Sequence, residues 1–240
     1  MAAEPGETAR VDVASARRWL LVVVGCLVVA NVLQHRILPG ATGAVAIALV
    51  LAMVAVARAS GLTVAELGLA RGTWARGLRW AAAPTAVVVL ACALVLVVPA
   101  LEQRIAPVGG SWSGVAARVL VGLPLLTVVP EELAFRGVTW ALLRRVGGAR
   151  VATLGSSMLF GFWHVLGAMG GGPANETAAG ALGDGDAAIA ARVAGTVLIT
   201  FLAGLLLCAL RAGSGSLLAP IGAHWAVNGA GTVLVHLVGR

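Results

Sequence analysis

Residues 42–59, TGAVAIALVLAMVAVARA, carry one charge in eighteen positions, and stretches of this kind recur along the whole chain. A helix of about 20 such residues covers a hydrocarbon core of about 30 Å. It also satisfies its own backbone polar groups, which lipid does not do for it. Runs of this type read near Trp19–Gln34, Leu38–Ala57, Ala81–Ala100, Val115–Val129, Val151–Leu166, Ile189–Leu210 and Leu217–Leu237. With 60% of residues hydrophobic and 11% charged, too little polar sequence remains for a soluble surface. The expected fold is therefore all-α: a polytopic membrane bundle of about seven to eight transmembrane helices.

The charges punctuate the runs. All 17 basic residues are arginine. Alternating sides at each span places Arg10, Arg17, Arg18, Arg58, Arg71, Arg76, Arg79, Arg144, Arg145, Arg150 and Arg211 on one side. Arg36, Arg104, Arg118, Arg192 and Arg240 fall on the other, with Arg136 inside a span. Arginine excess marks the cytoplasmic side, so the expectation is a multi-pass cell-membrane protein with a cytoplasmic N-terminus. The net charge of +7 does not indicate nucleic acid, because the arginines sit singly or in pairs between apolar runs. Cys26, Cys92 and Cys208 lie within apolar runs without CxxC spacing and read as packing residues.

The organisation expected is a cytoplasmic tail over 1–18, N-terminal membrane helices over 19–114, and a core over 115–237. Near 61–79, Leu62, Val64, Leu67, Leu69, Trp74 and Leu78 are mixed with three arginines, which suits an amphipathic segment at the cytoplasmic surface as well as a solvated linker. The glycine-rich loop from Gly170 to Asp186 faces outward, and its Asn175-Glu176-Thr177 sequon reads as a chance occurrence.

VVPEELAFRG, residues 128–137, breaks the avoidance of charge. An ionised residue at a helix centre costs about 2.5–3.5 kcal/mol on insertion scales, against about 0.3–0.6 returned by each large apolar residue. Glu131, Glu132 and Arg136 therefore face a bundle interior or a wet cavity. Glu132 and Arg136 have the i, i+4 spacing of an ion pair. Glu131 points about 100° away, so its partner must come from another helix.

Four histidines are available. His35 and His236 sit near span ends, where a solvated role is expected. FGFWH places His164 in the fifth span one turn after Phe160, and HWAVN places His224 and Asn228 on one face of the seventh. Glu131 lies 13 residues from Arg144, His164 lies 14 from Arg150, and His224 lies 13 from Arg211. Each offset is about 20 Å of helix, with Gly213–Gly215 breaking the last helix and making His224 shallower, so the three groups are expected near one depth, around an intramembrane polar cavity. Gly161 and the stripe Gly222, Ala226 and Ala230 suit close helix packing. Trp163 and Trp225 are assigned packing roles.

EExxxR at Glu131 to Arg136, FxxxH at Phe160 to His164 and HxxxN at His224 to Asn228 resemble the three motifs of the CPBP family. That family comprises CAAX prenyl endopeptidases, bacteriocin-processing and self-immunity (Abi) proteins. The resemblance covers about residues 115–235 and implies a helical bundle with a cavity. It implies Glu131 as general base toward water, His164 holding the same water, and His224 with Asn228 donating to the oxyanion of an attacked amide. Glu132, Arg136 and Phe160 would support them. A metal version uses Glu131, His164 and His224 as a His₂Glu set for a divalent ion such as zinc. The substrate implied is a hydrophobic or lipidated peptide met in the bilayer. The competing readings are a catalytically silent scaffold or self-immunity protein and, less favoured because no inverted repeat is visible, a transporter.

Overall fold

A computed structural model describes residues 5–105, 109–170, 183 and 185–239, and of residues 5–12 the backbone only. The sequon at Asn175 lies outside the described residues. Among the described residues every regular element is helical. Six helices among the described residues are long and apolar enough to cross a membrane, and the chain is a multi-pass membrane protein.

The first three are α1 (Pro5–Val32), extended by a widened turn over Leu33–Ile37, α2 (Thr42–Ala59) and α3 (Trp74–Val97). The fourth apolar element, Trp112–Ala168, is two legs rather than one. Gly147 and Gly148 leave helical geometry, and Gly148 takes φ +75°, a conformation that side chains disfavour. The chain folds back there, so that Ser156 Oγ donates to Phe135 O at 2.8 Å and Leu143 lies against Gly155. We label the legs α4 (112–146) and α5 (149–163). The remaining helices are α6 (Asp186–Ser214) and α7 (Leu218–Val238). Seven apolar legs result among the described residues, in line with the seven apolar runs of the sequence.

α4 is irregular for a visible reason. Pro124 and Pro130 supply no backbone N–H and crowd the preceding turn, and widened π-type turns span Pro124–Val128 and Leu133–Thr139. Residues 130–142 are buried without interruption, so this part of α4 forms the centre of the bundle. That position is why both Glu131 and Glu132 are inside although they point in different directions.

Glycines set the helix spacing around this centre. A Cβ on Gly204 of α6 would stand 2.9 Å from Ser157 Cβ on α5, and one on Gly161 would stand 3.0 Å from Val197 O on α6. On α7, a Cβ on Gly222 would meet Ala81 Cβ of α3 at 2.7 Å.

The segment between α2 and α3 is a strap of turns across one end of the bundle, followed by the first turns of α3. Thr63 and Glu66 close it in reciprocal hydrogen bonds, with Thr63 N–H donating to Glu66 Oε2 at 2.9 Å and Glu66 N–H to Thr63 Oγ1 at 3.2 Å. Arg145 donates to both Glu66 oxygens at 2.8 and 3.0 Å and to the carbonyls of Ser60 and Gly61. Arg211 reaches Glu66 O at 2.8 Å, and Leu217 N–H donates to Gly68 O. Leu62 and Leu67 are buried beneath the strap, whereas Val64 and Leu78 are exposed. At the opposite end Arg36 contacts Met169 and Arg192 donates to Ala168 O.

Candidate active site

Three helices converge on the acidic pair. Glu132 and Arg136, both fully buried on α4, pair at 3.0 Å. The same oxygen, Glu132 Oε1, lies 2.8 Å from Nδ1 of His224 on α7. A carboxylate only accepts, so Nδ1 carries the proton and the ring's other nitrogen is turned away from Glu132. That nitrogen, Nε2, faces Glu131 Oε2 at 3.9 Å, beyond a direct hydrogen bond. Arg136 also lies 4.0 Å over the ring of Phe160 on α5, a cation–π contact that offsets part of the cost of burying a guanidinium.

Glu131 is held differently on its two oxygens. Oε1 accepts from the indole Nε1–H of Trp163 at 3.0 Å. Oε2 is buried and has no hydrogen-bond partner among the described residues. The packing role assigned to Trp163 from sequence is therefore corrected: its ring stands edge-on to Phe135, and its N–H fixes the carboxylate. The signal was present, because Phe160, Trp163 and His164 fall at i, i+3 and i+4 and so share a helix face. Trp225, by contrast, donates to Val119 O and ties α7 to α4, in keeping with packing.

His164 sits at the C-terminal end of α5. Its Nδ1 is 2.8 Å from Phe160 O, and its ring packs edge-on to Phe160 at 4.7 Å. Phe160 also meets the His224 ring at 5.9 Å and so stands between the two imidazoles. His164, His224 and Asn228 line one cavity of about 520 Å³, whose other walls, apart from Thr200, are apolar residues of α3, α5, α6 and α7 such as Val87, Phe160, Ile199 and Val227. Glu131 is not on that wall, and its Oε2 is 3.9 Å from Nε2 of His224, which is on it.

Two further histidines differ from expectation. His35 is half-buried, with its ring against Gly167. The turn over Leu33–Ile37 carries it inward instead of leaving it among headgroups. His236 is buried and packs edge-on to Trp112 at 4.5 Å. Among the described residues no group of three His, Cys, Asp or Glu side chains is placed to hold a metal ion, so the set Glu131, His164 and His224 does not converge as a ligand shell.

The family model of Rce1-like type II CAAX prenyl endopeptidases matches residues 112–230, about half of the chain. This half of the chain belongs to the Rce1-like family. The match contains all three motifs and every residue of the polar cluster, and the family is one of proteases. No curated protein and no solved structure matches the chain. In the Rce1-like segment, α4 supplies the acids, α5 the Trp163–His164 pair and α7 the His224–Asn228 pair. α3, which lies before the match, contributes the facing wall of the cavity.

Proposed function

We propose that the chain is an intramembrane endopeptidase that hydrolyses a peptide bond in a hydrophobic, lipidated or membrane-associated peptide, with water activated by Glu131. The observation that carries this reading is the asymmetry of the Glu131 carboxylate. One oxygen is fixed by Trp163, and the other is buried, without a hydrogen-bond partner among the described residues, and faced by His224. A general base needs such an oxygen, positioned but not consumed.

In the proposed reaction a water held between Glu131 Oε2 and His224 Nε2 attacks the carbonyl carbon while its proton passes to Glu131. Charge gathers on the carbonyl oxygen, where His164 and the Asn228 amide, both on the cavity wall, serve as donors. The C–N bond then breaks, and the proton moves from Glu131 to the departing amine nitrogen. Relative to the expectation from sequence, the two histidines exchange tasks. Glu132 occupies Nδ1 of His224 and turns its free nitrogen to Glu131, which suits it to the water rather than the oxyanion. Since the donor set does not converge on a common point, no step is routed through a metal. The arginine-rich end is assigned to the cytoplasm.

The test is cleavage of a lipidated-peptide library by the protein purified in detergent or nanodiscs, compared with Glu131→Ala and His164→Ala at matched folding. Both variants are expected to lose cleavage. Unchanged turnover in Glu131→Ala removes the mechanism, and loss of activity on chelation with recovery on metal add-back removes the metal-free route.

A further inference from the structure

Helix α1 lies before the Rce1-like segment, yet a buried hydrogen bond ties it to the polar cluster. Asn31 is 7% exposed, and its Nδ2 donates to Trp163 O at 2.7 Å. A buried asparagine in a membrane helix is costly unless it finds a partner on a neighbouring helix. The partner here is a group that needs one. α5 ends in a tight turn, with His164 N–H donating back to Gly161 O at 3.2 Å, and the carbonyls of a helix's last turn have no N–H of their own helix to accept from. Side chains supply two of those donors: His164 Nδ1 donates to Phe160 O at 2.8 Å, and Asn31 donates to Trp163 O. Four residues further along each segment, the ring of His35 stands against Gly167, so α1 follows the chain past the end of α5 over two successive turns.

Packing alone does not hold Trp163 on this side. Asn31, Trp163 and Phe135 border a hollow of about 230 Å³ between α1 and α5, walled otherwise by apolar residues such as Val28 and Leu159. A ring that borders a hollow has fewer atoms to pack against, so a directional bond carries more of its ordering. Trp163 has two such bonds. Its carbonyl accepts from Asn31, and its indole N–H donates to Oε1 of Glu131 at 3.0 Å.

We propose that Asn31 is a positioning residue of the peptidase: from α1, outside the matched segment, it holds Trp163 where the indole orients the Glu131 carboxylate. Asn31 is not on the wall of the cavity that contains His164, His224 and Asn228, so it acts on the rate of the chemical step and not on substrate binding. This rests on the endopeptidase reading and extends its machinery into the N-terminal half of the chain.

The experiment measures kcat, KM and melting temperature for the full chain in phosphatidylcholine nanodiscs, with a cleaved member of the lipidated-peptide library as substrate. Asn31→Leu keeps the side-chain volume and removes the donor. Its kcat is expected to fall about tenfold with KM unchanged, because a small misplacement of a reacting group costs rate. Asn31→Gln keeps an amide, has the adjoining hollow to extend into, and should regain most of that loss. In Trp163→Phe the indole donor is already gone, so adding Asn31→Leu should change kcat by less than about twofold, as expected of two residues that act in series. Should Asn31→Leu fail to fold, Asn31→Ala takes its place in the same cycle. An equal fall of kcat in both backgrounds overturns the proposal and leaves the endopeptidase reading intact. So does a Gln variant as slow as the Leu variant, or a rise in KM without a fall in kcat. Cleavage of no library member by wild type overturns both.

Discussion

The indole N–H of Trp163 donates to Oε1 of Glu131 at 3.0 Å, across the interface of α4 and α5, and the second carboxylate oxygen is buried with no hydrogen-bond partner among the described residues. Helix α5 thereby determines which oxygen of Glu131 is available. Trp163→Phe keeps the ring packed against Phe135 and removes only the donor. A hydrogen bond to a charged group contributes about 1.5–3 kcal/mol, so kcat for peptide cleavage is expected to fall by about tenfold to a hundredfold. Steady-state kinetics with a melting curve for each protein check this, and unchanged kcat at full folding would show that Trp163 only packs.

Glu131 and Glu132 adjoin in sequence and differ in what they hold. Glu132 Oε1 receives both Arg136 and His224 inside a fully buried pair, whereas Glu131 receives one indole. Glu132→Gln strands the Arg136 charge in the core, and breaking a buried pair in this way costs about 3–5 kcal/mol. Thermal unfolding in detergent should show a large loss of stability for Glu132→Gln. Glu131→Gln should keep its stability and lose cleavage, which separates a residue that builds the site from one that acts in it.

Much of this arrangement was legible before any coordinates. The cost of three charges in a span required them inside, and helix periodicity required Glu131 to find its partner on another helix. Depth counting from flanking arginines put Glu131, His164 and His224 near one level, without saying which histidine meets the acids, and it is His224 that does. What periodicity did not contain was the burial of 130–142 on all sides, which follows from widened turns around Pro124 and Pro130 and from the reversal at Gly147–Gly148. Nor did it contain the donor for Glu131, because a tryptophan in an apolar run is ordinarily filler and its N–H has no pattern of its own. His35 was misplaced for a related reason. A histidine beside an arginine at a span end suggests headgroups, and only the turn over Leu33–Ile37 carries it against Gly167.

Glu66 gives the strap an acid-sensitive lock. Partial burial alone would raise its pKa, but the paired bonds from Arg145 and those from Thr63 outweigh it and hold the group at about 2, against an ordinary value of 4.5. A carboxylate with a depressed folded-state pKa adds stability above its unfolded value and loses it as the pH falls through the folded one. The contribution is thus expected to disappear between about pH 4.5 and about 2. Because the pair is partly exposed, solvent screening keeps the effect modest. Melting temperatures across that window should fall more steeply for wild type than for Glu66→Gln, and parallel curves would show that the strap does not depend on the pair.

α3 carries one wall of the cavity, and its distance from α7 is set where Gly222 faces Ala81. A methyl on Gly222 would lie 2.7 Å from Ala81 Cβ, closer than two such carbons approach, and both belong to helix backbones that cannot yield locally. Gly222→Ala is therefore expected to push α3 and α7 apart and to destabilise the protein by about 1–3 kcal/mol despite alanine's better helix propensity. Removing the opposing methyl should relieve it, so Ala81→Gly/Gly222→Ala should be less destabilised than the sum of the single changes, with a coupling of about 1 kcal/mol. The same displacement acts on catalysis, since Ala83 and Pro84 of α3 and His224 of α7 are within one turn of the contact and face each other across the cavity. Cleavage should then follow the melting data, lost in Gly222→Ala and regained in the double variant. Additive losses in both measurements would mean that the helices are held apart by something other than this pair.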